Sequence, residues 1–162
     1  MRGIDWYAGA GGYTRAMRQV GIEVVGACER DMAKRAAYVE ACGVPAWFGE
    51  DCHAPVGVPE ADLWCACAGV ADLGALLAHK PWPRWLVLET VTHDVLTLLG
   101  SKVLVSRTHP GMSVARASAR TFVVLGPHTV ALPELPPHSG QGPHSDPRAL
   151  DIVLGAVVEA DK

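Results

Sequence analysis

The sequence predicts a three-layer α/β domain on a mostly parallel sheet, and three observations carry that expectation. IDWYAGAGGY at residues 4–13 runs an apolar and aromatic segment into glycines at 9, 11 and 12 that open a helical pattern. Val24-Val25-Gly26-Ala27-Cys28 is a second short apolar run; it ends in Glu29-Arg30-Asp31 before MAKRAAYVEAC, whose helical spacing closes on Gly43. Further on, ADLWCACA, PRWLVLETV and TFVVL repeat the short apolar run. Strand, tight turn, helix and strand make a βαβ unit, and such a crossover places its two strands side by side and parallel.

The first turn carries the chemistry. Glycine tolerates positive φ and lets a ligand rest against the main chain, near the free amides of a helix N-terminus. A nucleotide-type pocket is therefore expected at Gly9, Gly11 and Gly12, the plainer alternative being a tight strand-to-helix turn. The spacing is G-x-G-G, whereas a pyrophosphate cradle uses G-x-G-x-x-G. An adenosine without phosphates suits it better. An acid at the end of the second strand of such a unit can accept both ribose hydroxyls, and Glu29 is the candidate. Glu29 or Asp31 could instead cap the following helix, or the two could divide these roles.

With these residues in place the chain resembles the DNA cytosine-5 methyltransferases, a family that binds S-adenosylmethionine (SAM) on a Rossmann-like sheet. IDWYAGAGGYTRAM resembles its first motif, VGIEVVGACERD its second, and FGEDCHAP the third, where Asp51 and Cys52 match the acid and neighbour that flank the adenine. The resemblance implies a SAM site lined by Tyr7, Gly9, Gly11, Gly12, Glu29, Asp51 and Cys52.

The back half departs from the pattern. ADLWCACAGVADLG resembles the segment that carries a Pro-Cys nucleophile, but counting from Asp62 puts Val70 where the cysteine belongs, with Ala68-Gly69 before it and Ala71 after it. Carbon 5 of cytosine becomes nucleophilic only after a thiolate adds to the neighbouring carbon, so that cysteine is the mechanism itself. Cys65 and Cys67 lie nearby on the predicted strand, two residues apart and on one face; whether either replaces the missing thiol stays open. PRWLVLETV resembles the strand ending in Glu-Asn-Val: Glu89, the tentative catalytic residue, is retained and Thr90 stands for the asparagine. Glu89 could bind a base or small amide, or simply cap the next turn. The interval from Val70 to Glu89 is too short for the family's mobile lid, so water exclusion and capture of an extruded base are not expected. GMSVARASARTFVVLG resembles the Gln-x-Arg-x-Arg segment leading into a strand, with Arg116 for the glutamine, Ser118 for the first arginine and Arg120 retained; the arginines could serve only as a solvated lead-in. Where the family inserts a target-recognition domain, this chain runs directly into PELPPHSGQGPHSDP.

A single Rossmann-like domain over residues 1–162 is expected, with a Pro-, Gly-, His- and Ser-rich loop at 133–147 and a C-terminal helix in DPRALDIVLGAVVEA. A hydrophobic fraction of 49% with 19% charged residues is enough for one core. The formal net charge of −3 provides no global basic footprint, so autonomous duplex DNA binding is not expected. Arg15, Arg18, Lys34 and Arg35 could form a local patch on the first two helices or merely solvate them. No membrane span and no signal peptide stand out, and five cysteines fit reduced thiols; a cytoplasmic location is expected. No metal is expected either: Cys65-Ala-Cys67 lacks the two to four intervening residues of structural zinc sites, and His138 and His144 fall in the loop.

The functional expectation is a SAM-binding protein whose cysteine-dependent cytosine methylation is lost, serving as a binding or regulatory module, with a partner protein subunit as one way to supply recognition. The alternative is an active SAM-dependent methyltransferase on a small nucleobase-like or other acceptor. Ranked lower is one part of a split DNA cytosine methyltransferase.

Overall fold

A computed structural model describes residues 1–79, 81–90, 111–117, 120–135 and 147–162. The chain forms, in order, β1 (Arg2–Trp6), α1 (Gly12–Gln19), β2 (Glu23–Cys28), α2 (Met32–Cys42), β3 (Trp47–Gly49), β4 (Leu63–Cys67), α3 (Val70–Ala78), β5 (Trp85–Thr90), β6 (Gly111–Ala117), β7 (Arg120–Gly126) and α4 (Pro147–Ala160). The strands make one seven-stranded sheet in the order β3-β2-β1-β4-β5-β7-β6. β1 to β5 are parallel, β7 runs antiparallel to β5, and β6 antiparallel to β7.

The parallel strands read as apolar runs because both faces are covered. On one face α1 and α4 bury Tyr13, Met17, Leu150, Val153 and Leu154 against Val87, Phe122 and Val124. On the other, Leu73 and Leu76 of α3 pack with Ile4, Trp6, Trp64 and Leu88. Truncating a leucine at either layer to alanine costs about 2–5 kcal/mol. A smaller cluster joins Tyr38 of α2 to Ala8, Ala27 and Phe48.

The strand order reverses between β1 and β4, and a crevice opens outside the carboxyl ends of strands at such a point. Tyr7, Gly9, Gly11, Gly12, Glu29, Asp51, Cys52, Cys67, Val70 and Glu89 lie in or shortly after the carboxyl end of a strand, and Arg120 reaches that end by opening the reversed strand β7. α2 begins and ends where its chemistry dictates: Asp31 Oδ1 accepts from Ala33 N at 2.9 Å and Lys34 N at 3.1 Å, and Gly43 closes it at φ 77.

Two expectations need correction. Residues 111–117 form a strand of their own, β6, where the sequence indicated only a lead-in to TFVVL. Arg120 is also no solvated residue, since its side chain is 11% exposed and ion-paired. Of the predicted 133–147 loop, residues 136–146, with His138 and His144, lie outside the described residues, as does Ser118. Among the described residues, no helix is long and apolar enough to cross a membrane and no cluster of metal-ligating side chains occurs.

Candidate functional site

β1 ends in a turn that glycine makes possible. Gly9 sits at φ 54 and Gly11 at φ 79, both left-handed, and between β1 and Gly9 the non-glycine Tyr7 adopts φ 56. A non-glycine residue there is strained, and strain of this kind gathers at functional sites. α1 starts with Gly11 as an N-cap that offers no side chain. The capping comes instead from the strand: Asp5 Oδ2 accepts from Thr14 N and from Thr14 Oγ1, both at 2.9 Å. Asp5 is 1% exposed, and burial pushes its carboxyl up to about 7 despite those two hydrogen bonds. Thr14 Oγ1 also meets the Tyr38 hydroxyl at 2.8 Å, tying α1 to α2.

Glu29 links the second strand to the glycine turn. It is 5% exposed, and its Oε2 accepts from Gly9 N while Oε1 accepts from Asp31 N, each at 2.9 Å. Asp31, not Glu29, caps α2. A carboxylate oxygen carries two lone pairs, so both Glu29 oxygens keep capacity for a further donor such as a ribose hydroxyl. Among the described residues, no atom lies within 4 Å of where a Cβ on Gly9 would stand. The main chain is open there, and an adenosine-bearing group fits a bare backbone beside a buried carboxylate.

β3 supplies the third wall. Asp51 is exposed and accepts from His53 N at 2.8 Å, whereas Cys52 is fully buried. The Cys28 thiol donates to Cys52, which pushes the Cys28 thiol up. Tyr7, the glycine turn, Glu29, Asp51 and Cys52 are thus brought to one end of three adjacent strands. Open cavities of about 700 and 450 Å³ lie elsewhere, along His128–Pro133 beside α4 and between Arg2, Trp64, His79 and Trp82. Volume alone does not single out the crevice; its residues do.

β4, β5 and β7 build a second locus at the same end. Cys67 pairs with Glu89 in register, and Glu89 with Phe122. Arg120 Nη1 donates to Glu89 Oε1 at 2.7 Å and approaches Cys67 Sγ at 3.8 Å. The Glu89 side chain is fully buried. Cys65 faces the core and burial pushes its thiol up. Cys67 has an exposed edge, but desolvation of its sulfur, reinforced by Glu89, pushes its thiol up to about 11. At neutral pH it is a protonated thiol, and the thiol is a poor nucleophile. Val70 opens α3 behind Gly69.

No family model matches the sequence, and no curated protein matches it. Solved structures do align with it. The S. pombe Dnmt2 methyltransferase superposes with a TM-score of 0.51 at 16% identity over 77% of this chain and 48% of that one. The ribosomal protein L11 methylase of Lactobacillus delbrueckii subsp. bulgaricus gives 0.60 at 14% over 78% and 70%, and a dimethyladenosine transferase of Plasmodium falciparum 0.52 at 16% over 76% and 54%. The fold is that of the SAM-dependent methyltransferases. At these identities the likeness is one of fold, and the chain spans about half the length of the Dnmt2 protein.

Sequence reasoning passed over the Asp5–Thr14 bond and the contacts of His53 with Asp72. The first had a signal, an acid inside an apolar strand run. The second had none, because 19 residues separate partners that only the folded sheet brings together.

Proposed function

We propose that this chain binds SAM at the carboxyl ends of β1, β2 and β3 and that it is built like a DNA cytosine-5 methyltransferase whose cysteine-dependent cytosine methylation has been lost, leaving a binding or regulatory module. Gly9, Gly11 and Gly12 would offer the backbone, Glu29 the ribose acceptor, and Tyr7, Asp51 and Cys52 the walls around the adenine. When bound, SAM supplies a methyl group activated on a sulfonium. The observation that carries the loss is the state of the acceptor locus: valine opens α3 at position 70, and Cys67, the thiol next to Glu89, is held protonated. Covalent activation of cytosine needs a thiolate there.

A second reading has one observation in its favour. Glu89 and Arg120 form a buried, charge-assisted pair at 2.7 Å beside Cys67, a polar floor able to orient a small planar acceptor that needs no thiolate.

Calorimetric titration with SAM and with its demethylated product tests the main reading; micromolar binding of either is the expected result, and absence of heat with no thermal shift removes it. Incubation with labelled SAM and either DNA or free nucleobases separates the readings. The wild type and Val70→Cys are both expected to leave DNA unlabelled, whereas label on a free base favours the second reading.

A further inference from the structure

Four loops frame the crevice, following β1, β2, β3 and β4, and one residue touches the other three. Asp72, in the first turn of α3, accepts from the Tyr7 hydroxyl at its main-chain oxygen at 2.8 Å. Its carboxylate Oδ1 lies 2.9 Å from His53 Nε2 and 3.9 Å from Arg30 Nη2. Tyr7 follows β1, Arg30 follows β2 and His53 follows β3. His53 is set for this by Asp51, which accepts its main-chain N–H at 2.8 Å, and by the Tyr7 ring, edge-on with centroids 6.4 Å apart. Tyr7 is the same residue that holds a left-handed φ of 56. A strained backbone persists when its surroundings over-determine it, and the Tyr7–Asp72 bond is such a restraint.

We propose that Asp72 is the clasp of the cofactor crevice, a positioning residue that draws the Tyr7, Arg30 and His53 loops against α3 so that ligand enters and leaves when the His53–Asp72 contact opens. This rests on the SAM reading for the identity of the ligand, while the clasp itself is a property of the free protein. The side chains are 28% exposed at Asp72, 42% at His53 and 60% at Arg30. Pairs so placed are weak enough to open thermally, which suits a gate better than a buried bridge would. The geometry divides the labour: the carboxylate holds His53 and Arg30, and the main-chain oxygen holds Tyr7.

The test uses Asp72→Ala, Asp72→Asn and His53→Ala in the full chain, with two readouts. The first is amide hydrogen exchange without ligand. Asp72→Ala is expected to raise exchange at residues 50–54 while β1, β2 and β4 stay protected, and Asp72→Asn, which keeps an acceptor for His53, restores part of the protection. The second is the SAM dissociation rate by stopped-flow, expected to rise about two- to fivefold in Asp72→Ala, with the Asp72→Ala, His53→Ala double variant no faster than either single one. If exchange changes but wild type binds no SAM, the clasp stands and the ligand assignment falls. If Asp72→Ala leaves exchange at 50–54 unchanged, or raises it everywhere alike, the clasp is wrong.

Discussion

Replacing Asp5 by asparagine isolates the titration of a buried carboxyl beneath the glycine turn. Asp5 is buried at the end of the first strand, and desolvation pushes its carboxyl from 3.8 to about 7. A carboxyl that binds its proton more tightly when folded makes the folded state the more protonated one, so stability falls as pH rises. The contribution is complete below about pH 4, declines across the interval, and is gone above about pH 7. Each tenfold gain in proton affinity is worth about 1.4 kcal/mol, so the swing is at most about 4 kcal/mol. Asparagine keeps a carbonyl oxygen for the two Thr14 donors and cannot ionise; any offset from its amide group is independent of pH. The assay is urea unfolding of both proteins at closely spaced pH values from about 4 to 8, read by tryptophan fluorescence. The stability difference between variant and wild type is expected to move in the variant's favour as pH rises, by up to about 4 kcal/mol. Parallel curves would refute the reasoning, because they would mean that Asp5 titrates alike in the folded and unfolded chains.

Two further outcomes follow from the same geometry. Gly9→Ala meets no described atom within 4 Å and carries only the left-handed backbone cost of about 1–2 kcal/mol, whereas a Cβ on Gly11 collides with Cys42 Sγ and also sits at φ 79; thermal unfolding should show the larger loss for Gly11→Val, and equal losses would contradict this turn geometry. Arg120→Ala breaks the ion pair at the buried Glu89 carboxylate and should cost about 3–5 kcal/mol by chemical denaturation, with part of it recovered when Glu89→Gln is added; a loss near zero would mean the pair is open in solution.

The front half of the fold was legible because its information is local. Glycine turn, strand-ending acid, aspartate cap and terminal Gly43 all act within a few residues of where they stand, so reading them along the chain places α1, β2 and α2. β6 was hidden for a physical reason: its apolar residues point the wrong way. Met112 and Val114 are 48% and 42% exposed while Ser113 is 7% exposed, its Oγ accepting from Val130 N at 2.8 Å. A strand whose polar residue faces inward inverts the pattern from which strands are recognised. The two readings of Arg120 stayed open in sequence because its partner is set by the antiparallel β5–β7 register, which places Thr90 against Thr121, and such pairing leaves no periodic trace. The candidate site was legible as two groups of residues, without the clasp that joins their loops.

The carboxyl end of the sheet gathers two clusters drawn from different stretches of the chain. The bonds among Gly9, Glu29 and Asp31 are written within the first 31 residues, Tyr7 is tied forward to Asp72, and the Cys67–Glu89–Arg120 locus draws on three segments further along that share an ion pair. Over generations, Asp72 is the position at which change in the later part of the chain reaches the glycine turn, because its main-chain oxygen holds Tyr7.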